Sequence, residues 1–258
     1  FPAQTPSHAE IFADASKSRD LIFPKTKEYY EIWIDDEKIA DKNEEVDPLY
    51  QERYLPRKLK IGIAIPPNNE VDVLINDIAL IAIIENGQLK GFNIAAGGGL
   101  SATHGNAATY ARLATVLGFV DTEEKVMKTI YEIVTVQRDY GNRSDRKLAR
   151  LKYTIDNLGV EKYKEEVEKR TGFKLEPARP YTFNERKDFY GWYKGQNGLW
   201  YYTLFVENGR VLDDEKLAIK TALLEIAKTD KCNFHFTSSQ NIIITDVAEA
   251  DKAVIDKL

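Results

Sequence analysis

Hydrophobic positions recur along this chain with two periods, and the switch between them outlines its elements. Tyr29 to Ile34 is aromatic and β-branched and predicts a strand. In residues 59–65 the period is two, so Leu59, Ile61, Ile63 and Ile65 share a core face. Lys58, Lys60, Gly62 and Ala64 share the other, where two small residues would leave open volume beside two ammonium groups, a space suited to an anion. The plainer reading is an edge strand whose lysines discourage aggregation. Pro66-Pro67-Asn68-Asn69 stops the strand, and residues 70–95 read as two more strands around Glu85-Asn86-Gly87, a strong hairpin signal. Leu89 to Ala96 then runs into Gly97-Gly98-Gly99, where backbone could approach a ligand closely and turn its N–H groups toward an anion.

Helical spacing takes over afterwards. Residues 107–117 carry a helical pattern, and donors at its start, after Leu100-Ser101-Ala102-Thr103-His104-Gly105, would favour a carboxylate or phosphate. A second helix over about 122–139 buries Val126, Ile130, Ile133 and Val134. Gly141-Asn142 breaks it, and a restarted helix would place Arg143, Arg146 and Arg150 on one face. Arg138, Arg143, Arg146, Lys147, Arg150 and Lys152 make a positive patch that is either a solvated face or a carboxylate- or phosphate-binding one; arginine favours the second. A charged helix from Val160 to Gly172 leads through Pro177 and Pro180 to a boundary. At the other end, residues 1–22 suit a short helix, and residues 35–53 read as an acidic loop. Beyond about 185 come paired strands, Tyr190 to Lys194 and Trp200 to Val206, across Gln196-Asn197-Gly198. A helix at 214–228, strands at 233–237 and 241–245, and a helix from 247 complete a ββαββα order, a two-layer α+β unit.

Composition narrows the functions. A net charge of −5 and a pI near 5.5 disfavour general nucleic-acid or acidic-membrane binding. The single cysteine, Cys232, excludes a disulfide framework and a cysteine-only metal site. No apolar run reaches the roughly 18 residues of a membrane span, no signal peptide is visible, and a cytoplasmic location is expected. Beginning at Phe1 and ending in a helical pattern, the sequence reads as a piece of something longer.

The stretches YLPRKLK (54–60), NDIALIAI (76–83), GFNIAAGGGLSATHG (91–105), TVQRDYGNRSDRKLARLKYT (135–154) and, more weakly, TSSQNIII (237–244) resemble the sulfite/nitrite reductase haemoprotein family, most closely its assimilatory sulfite reductase branch. The resemblance implies a sirohaem-binding α+β domain with a mixed sheet over 1–180 and a ferredoxin-like half-domain over 185–258. It implies six-electron reduction of sulfite to sulfide at sirohaem, coupled to a 4Fe–4S cluster and fed by a flavoprotein reductase subunit or ferredoxin. Lys58 and Lys60 match the lysines that meet the bound anion. Arg57, Gly97, Gly98, Gly99, Asn142, Arg143, Arg146, Arg150 and Lys152 match parts that wrap the cofactor, whereas His104 is expected to be structural. Lys60 and Gly99-Leu100 favour sulfite over nitrite. The family's cluster cysteines and its N-terminal half are missing, so alone this chain is expected to bind neither cofactor and to be inactive. Two non-enzyme alternatives are a small α+β module binding RNA or another polyanion through the 138–152 cations, which the acidic chain disfavours, and an interaction domain whose basic patch docks an acidic electron donor.

Overall fold

A computed structural model describes residues 6–25, 31–41, 46–186 and 188–258. Helix α1 (Pro6–Ile22) and a hairpin of β1 (Glu31–Ile34) and β2 (Glu37–Asp41) precede the central sheet. The expected acidic loop over 35–53 is thus partly strand: Asp35 and Asp36, both with positive φ, turn the chain back on itself. Tyr29, Tyr30 and residues 42–45 lie outside the described residues.

The central sheet has the order β3 (Ile61–Ala64), β4 (Ile78–Glu85), β5 (Gln88–Ala96), β6 (Thr115–Val120). The β3–β4 pairing is parallel and the other two are antiparallel, so the sheet is mixed. Asn86 and Gly87 both take positive φ and close the β4–β5 hairpin. One face of the sheet carries Ile78, Leu80, Phe92, Ile94 and Leu117 against Val126, Ile130, Ile133 and Val134 of α2 (Glu123–Tyr140), as the helical period predicted. Thr122 caps that helix by accepting the Lys125 N–H. The opposite face packs Ala64, Ala79, Ile81 and Ala95 against Val73 and Ala114. Burial on both faces explains why Ile78–Ile83 reads as an unbroken apolar run.

Two expectations fail here. Leu59, Ile61, Ile63 and Ile65 do face the main core, but Gly62 and Ala64 leave no open volume beside the lysines. A Cβ on Gly62 would lie 2.5 Å from the Asn76 side chain, and Ala64 is buried beneath Val73. Residues 107–117 are not helical: Arg112 exchanges backbone hydrogen bonds with Gly99, and the chain passes directly into β6. Short helices α3 (Leu151–Leu158) and α4 (Val160–Thr171) follow.

The last unit is an antiparallel sheet of order β7 (Gly191–Lys194), β8 (Trp200–Leu204), β10 (Ile242–Val247), β9 (Asn233–Phe236), with helices α5 (Ile219–Lys228) and α6 (Lys252–Lys257). Ile226 and Ile255 of the two helices share its core with Ile244 and Val247. It joins the first unit through backbone and side-chain hydrogen bonds: Asn69 N–H to the Glu185 carbonyl at 2.8 Å, and Ser238 Oγ to the Glu70 carbonyl at 2.8 Å.

Candidate functional site

The site is built on the junction between β3, β4 and the triple glycine. Asp77, just before β4, is buried, and a buried carboxylate needs partners. Its Oδ1 accepts from Arg150 Nη2 and Nε at 2.9 and 3.2 Å, and its Oδ2 accepts the Lys60 backbone N–H at 3.0 Å.

The N–H groups of the triple glycine do not face a ligand. Gly97 donates to the Asp77 carbonyl, Gly98 to that of Asn76 and Gly99 to that of Arg112, at 2.8, 3.0 and 2.7 Å. The carbonyls turn to three cations instead. Gly97 O accepts from Arg112 Nη1 at 3.0 Å, Gly98 O from Arg150 Nη2 at 3.1 Å and Gly99 O from Lys152 Nζ at 3.1 Å. A side chain here would collide: a Cβ on Gly98 would sit 2.3 Å from the Leu74 carbonyl oxygen, and one on Gly99 2.6 Å from Arg150 Nη1. The glycines therefore admit their own chain's backbone and guanidinium groups, and the expected nest of donors is not formed.

Lys152 departs from expectation as well. It has no solvent exposure, and its ammonium donates to the carbonyls of Gly99, Ser101 (2.8 Å) and Tyr110. The rings of Tyr153 and Tyr110 lie 4.9 and 5.6 Å away. Burial, with Arg150 nearby, lowers its pKa. All three N–H donors are engaged, so none is left for a cofactor carboxylate.

Arg143, Arg146 and Arg150 do not share a helix face either, because residues 141–150 are a loop with one 3₁₀ turn over Arg146–Leu148. Asn142 Oδ1 accepts the N–H groups of Ser144 and Asp145, and Asp145 accepts that of Lys147, which holds the loop out of the helix. Arg143 folds back onto the carbonyls of Arg53, Tyr54 and Arg138. With Arg138 donating to the Leu49 carbonyl at 2.6 Å, it straps the 49–54 segment to the end of α2. That strap delivers Arg57.

The loop nevertheless brings Arg57, Arg146, Lys147 and Arg150 together around a cleft of about 470 Å³. Ser101, Ala102, Thr103, Thr109, Asp145 and Tyr153 complete the lining. Arg150 is fixed by Asp77 and by Ser101 Oγ at 3.1 Å. Among the described residues, the side chains of Arg57, Arg146 and Lys147, and of the neighbouring exposed Lys58 and Lys60, make no ion pair or hydrogen bond. Unpaired cations gathered in a concavity, in a chain of net charge −5, suit a ligand bearing several anionic groups. His104 is exposed and outside the cleft. Asp77 and Arg112 were not singled out in the sequence; the only trace of Asp77 is an acid at the head of an apolar run.

Fold and cleft together define an α+β protein with a cationic cleft in its first unit and a small two-layer α+β second unit. The family described as "Nitrite and sulphite reductase 4Fe-4S domain" matches residues 15–175, and "Nitrite/Sulfite reductase ferredoxin-like half domain" matches residues 193–258. The chain belongs to this nitrite and sulphite reductase family. It is 55% identical over 257 residues to the sulfite reductase (NADPH) hemoprotein beta-component of Leptospira biflexa, and 52% identical over 260 residues to that of Geobacillus thermodenitrificans. Each match takes in 100% of this chain but only 46% and 45% of the relative, so the chain spans about half their length. The solved structure of the Mycobacterium tuberculosis NirA protein is similar with a TM-score of 0.61 at 25% identity, over 78% of this chain and 35% of that one. Among the described residues no group of three or more His, Cys, Asp or Glu could hold a metal ion, and no helix is long and apolar enough to cross a membrane.

Proposed function

We propose that this chain is the sirohaem-binding portion of a cytoplasmic sulfite reductase haemoprotein, which reduces sulfite to sulfide with six electrons. The observation that supports this most is the cleft of Arg57, Arg146, Lys147 and Arg150 beside two unpaired lysines. Its donor chemistry fits the carboxylates around the sirohaem macrocycle: guanidinium forks for carboxylate oxygens, with Ser101 and Thr103 in the same lining. The described residues do not fit an iron–sulfur cluster, because Cys232 is the sole thiol and lies in the half-domain. Sirohaem, when bound, supplies the iron at which sulfite is reduced.

The chain's own residues then divide the work. Arg57, Arg146 and Lys147 bind the cofactor's edge, while Arg150 is the preorganised wall. Lys58 and Lys60 offer ammonium groups that hold a dianion and donate protons as its oxygens leave as water. Sulfite is preferred to nitrite, on the names of the relatives and on the second lysine. Electrons come from a donor protein, a flavoprotein reductase subunit or a ferredoxin; the relatives' name points to NADPH as the source. The test is Lys58→Ala and Lys60→Ala in the complete haemoprotein. Sulfite turnover is expected to fall at least about tenfold, the loss of a charge-assisted contact of about 1.4 kcal/mol or more, with sirohaem content and Tm unchanged. Unchanged turnover removes both lysines from the substrate site.

A further inference from the structure

Asp77 is hydrogen-bonded to both halves of this site, to Lys60 on one side and Arg150 on the other. We propose that it is a positioning residue: its carboxylate sets where the Lys58–Lys60 run stands relative to the Arg150 wall of the cleft. This rests on the reading of the cleft and lysines given above.

Three observations carry it. The two carboxylate oxygens are divided between two partners, Oδ1 taking the Arg150 guanidinium through Nη2 and Nε and Oδ2 taking the Lys60 N–H. The Lys60 peptide is also held from its other side, since its carbonyl accepts the Ile78 N–H at 3.0 Å. Regular pairing of β3 starts only at Ile61, so these bonds to residues 77 and 78 anchor the run that carries both lysines. The Asp77 carbonyl in turn accepts the Gly97 N–H, tying the glycine ladder to the same point. A buried ion pair is in itself a weak source of stability, and an apolar pair of similar volume often replaces one at no loss. A carboxylate shared between a cofactor-side arginine and a substrate-side backbone does what an apolar pair cannot: it fixes a distance. Without the charge, Arg150 keeps only Gly98 O and Ser101 Oγ, its uncompensated guanidinium is drawn toward the anionic ligand of the cationic cleft, and the lysine run loosens.

The test uses the complete haemoprotein carrying Asp77→Asn, Arg150→Gln, the double variant and Lys60→Ala. Three quantities are read: the Kd for sulfite from absorption titration, amide hydrogen exchange of the peptide spanning Lys58 to Gly62, and Tm. In Asp77→Asn the Kd for sulfite is expected to rise about tenfold, the size of one charge-assisted hydrogen bond, and exchange of the 58–62 peptide to quicken. The double variant is expected to add less than the product of the two single effects, because both act through one contact. A lower Tm with sulfite affinity and exchange unchanged overturns the proposal and leaves Asp77 a stabilising residue only. If Asp77→Asn yields no folded protein, Asp77→Glu keeps the charge but displaces it by one methylene, and the same two readouts decide. Lys60→Ala with unchanged sulfite affinity overturns the site reading instead; the exchange rate in the Asp77 variant still decides whether the carboxylate anchors the run.

Discussion

At the scale of single residues, the cations of the 138–152 stretch sort by the partner each has found. Lys152 is enclosed by three carbonyls and two tyrosine rings. Lys152→Met leaves the buried Gly99 carbonyl and the part-buried Ser101 and Tyr110 carbonyls without their donor, the buried one worth about 1–3 kcal/mol and the other two less, and a loss of about 2 kcal/mol or more is expected in thermal unfolding; a loss below about 1 kcal/mol would show the carbonyls are satisfied otherwise. Asp139 answers a different question. Burial alone would raise its pKa, but hydrogen bonds from Arg138 and Arg170 outweigh burial and hold it below 3.8. A carboxylate depressed in the folded state contributes stability above its unfolded value and loses it as pH falls through the folded one. Asp139→Asn should therefore cost about 1 kcal/mol at pH 7, and that difference should shrink as pH falls from 3.8 downward; a pH-independent difference would exclude the ion pairs as its cause.

Elements show where local pattern ruled and where it was overruled. The β4–β5 hairpin, α2 with its buried stripe, α4 and the ββαββα unit were legible because pattern, turn chemistry and caps agree there. The helix expected over 107–117 was lost to tertiary partners: Arg112 exchanges bonds with Gly99 and its Nε meets Asp156 at 2.9 Å. The arginine face was lost to local ones, since Asn142 and Asp145 capture backbone N–H groups that a helix would need. Even so, Arg57, Arg146 and Arg150 were read from the sequence and do line one cleft, joined by a loop rather than a helix. Which cations are engaged and which remain unpaired depends on long-range contacts, such as Arg150 with Asp77, that no spacing encodes. The glycine ladder gives the test at this scale. Gly98→Ala places a Cβ against two backbone carbonyls that cannot move independently, at 2.3 and 2.5 Å, and should destabilise by about 2–3 kcal/mol. A variant as stable as the parent would mean the ladder can shift, and the three cations with it.

Across the whole molecule, a mixed sheet buried on both faces holds the cationic cleft, and the half-domain is hydrogen-bonded to its 69–70 loop. With the chain spanning about half of each relative's length, the proposed reaction belongs to the complete haemoprotein, and that is where it is best measured. An absorption spectrum of that protein, oxidised and reduced, with and without sulfite, addresses the central claim most directly. Isobacteriochlorin bands that shift on adding sulfite are the expected result and would place the anion at the sirohaem iron. A colourless protein made with cofactor supply assured, or bands indifferent to sulfite, would contradict it and leave the cleft as a docking surface for an acidic partner.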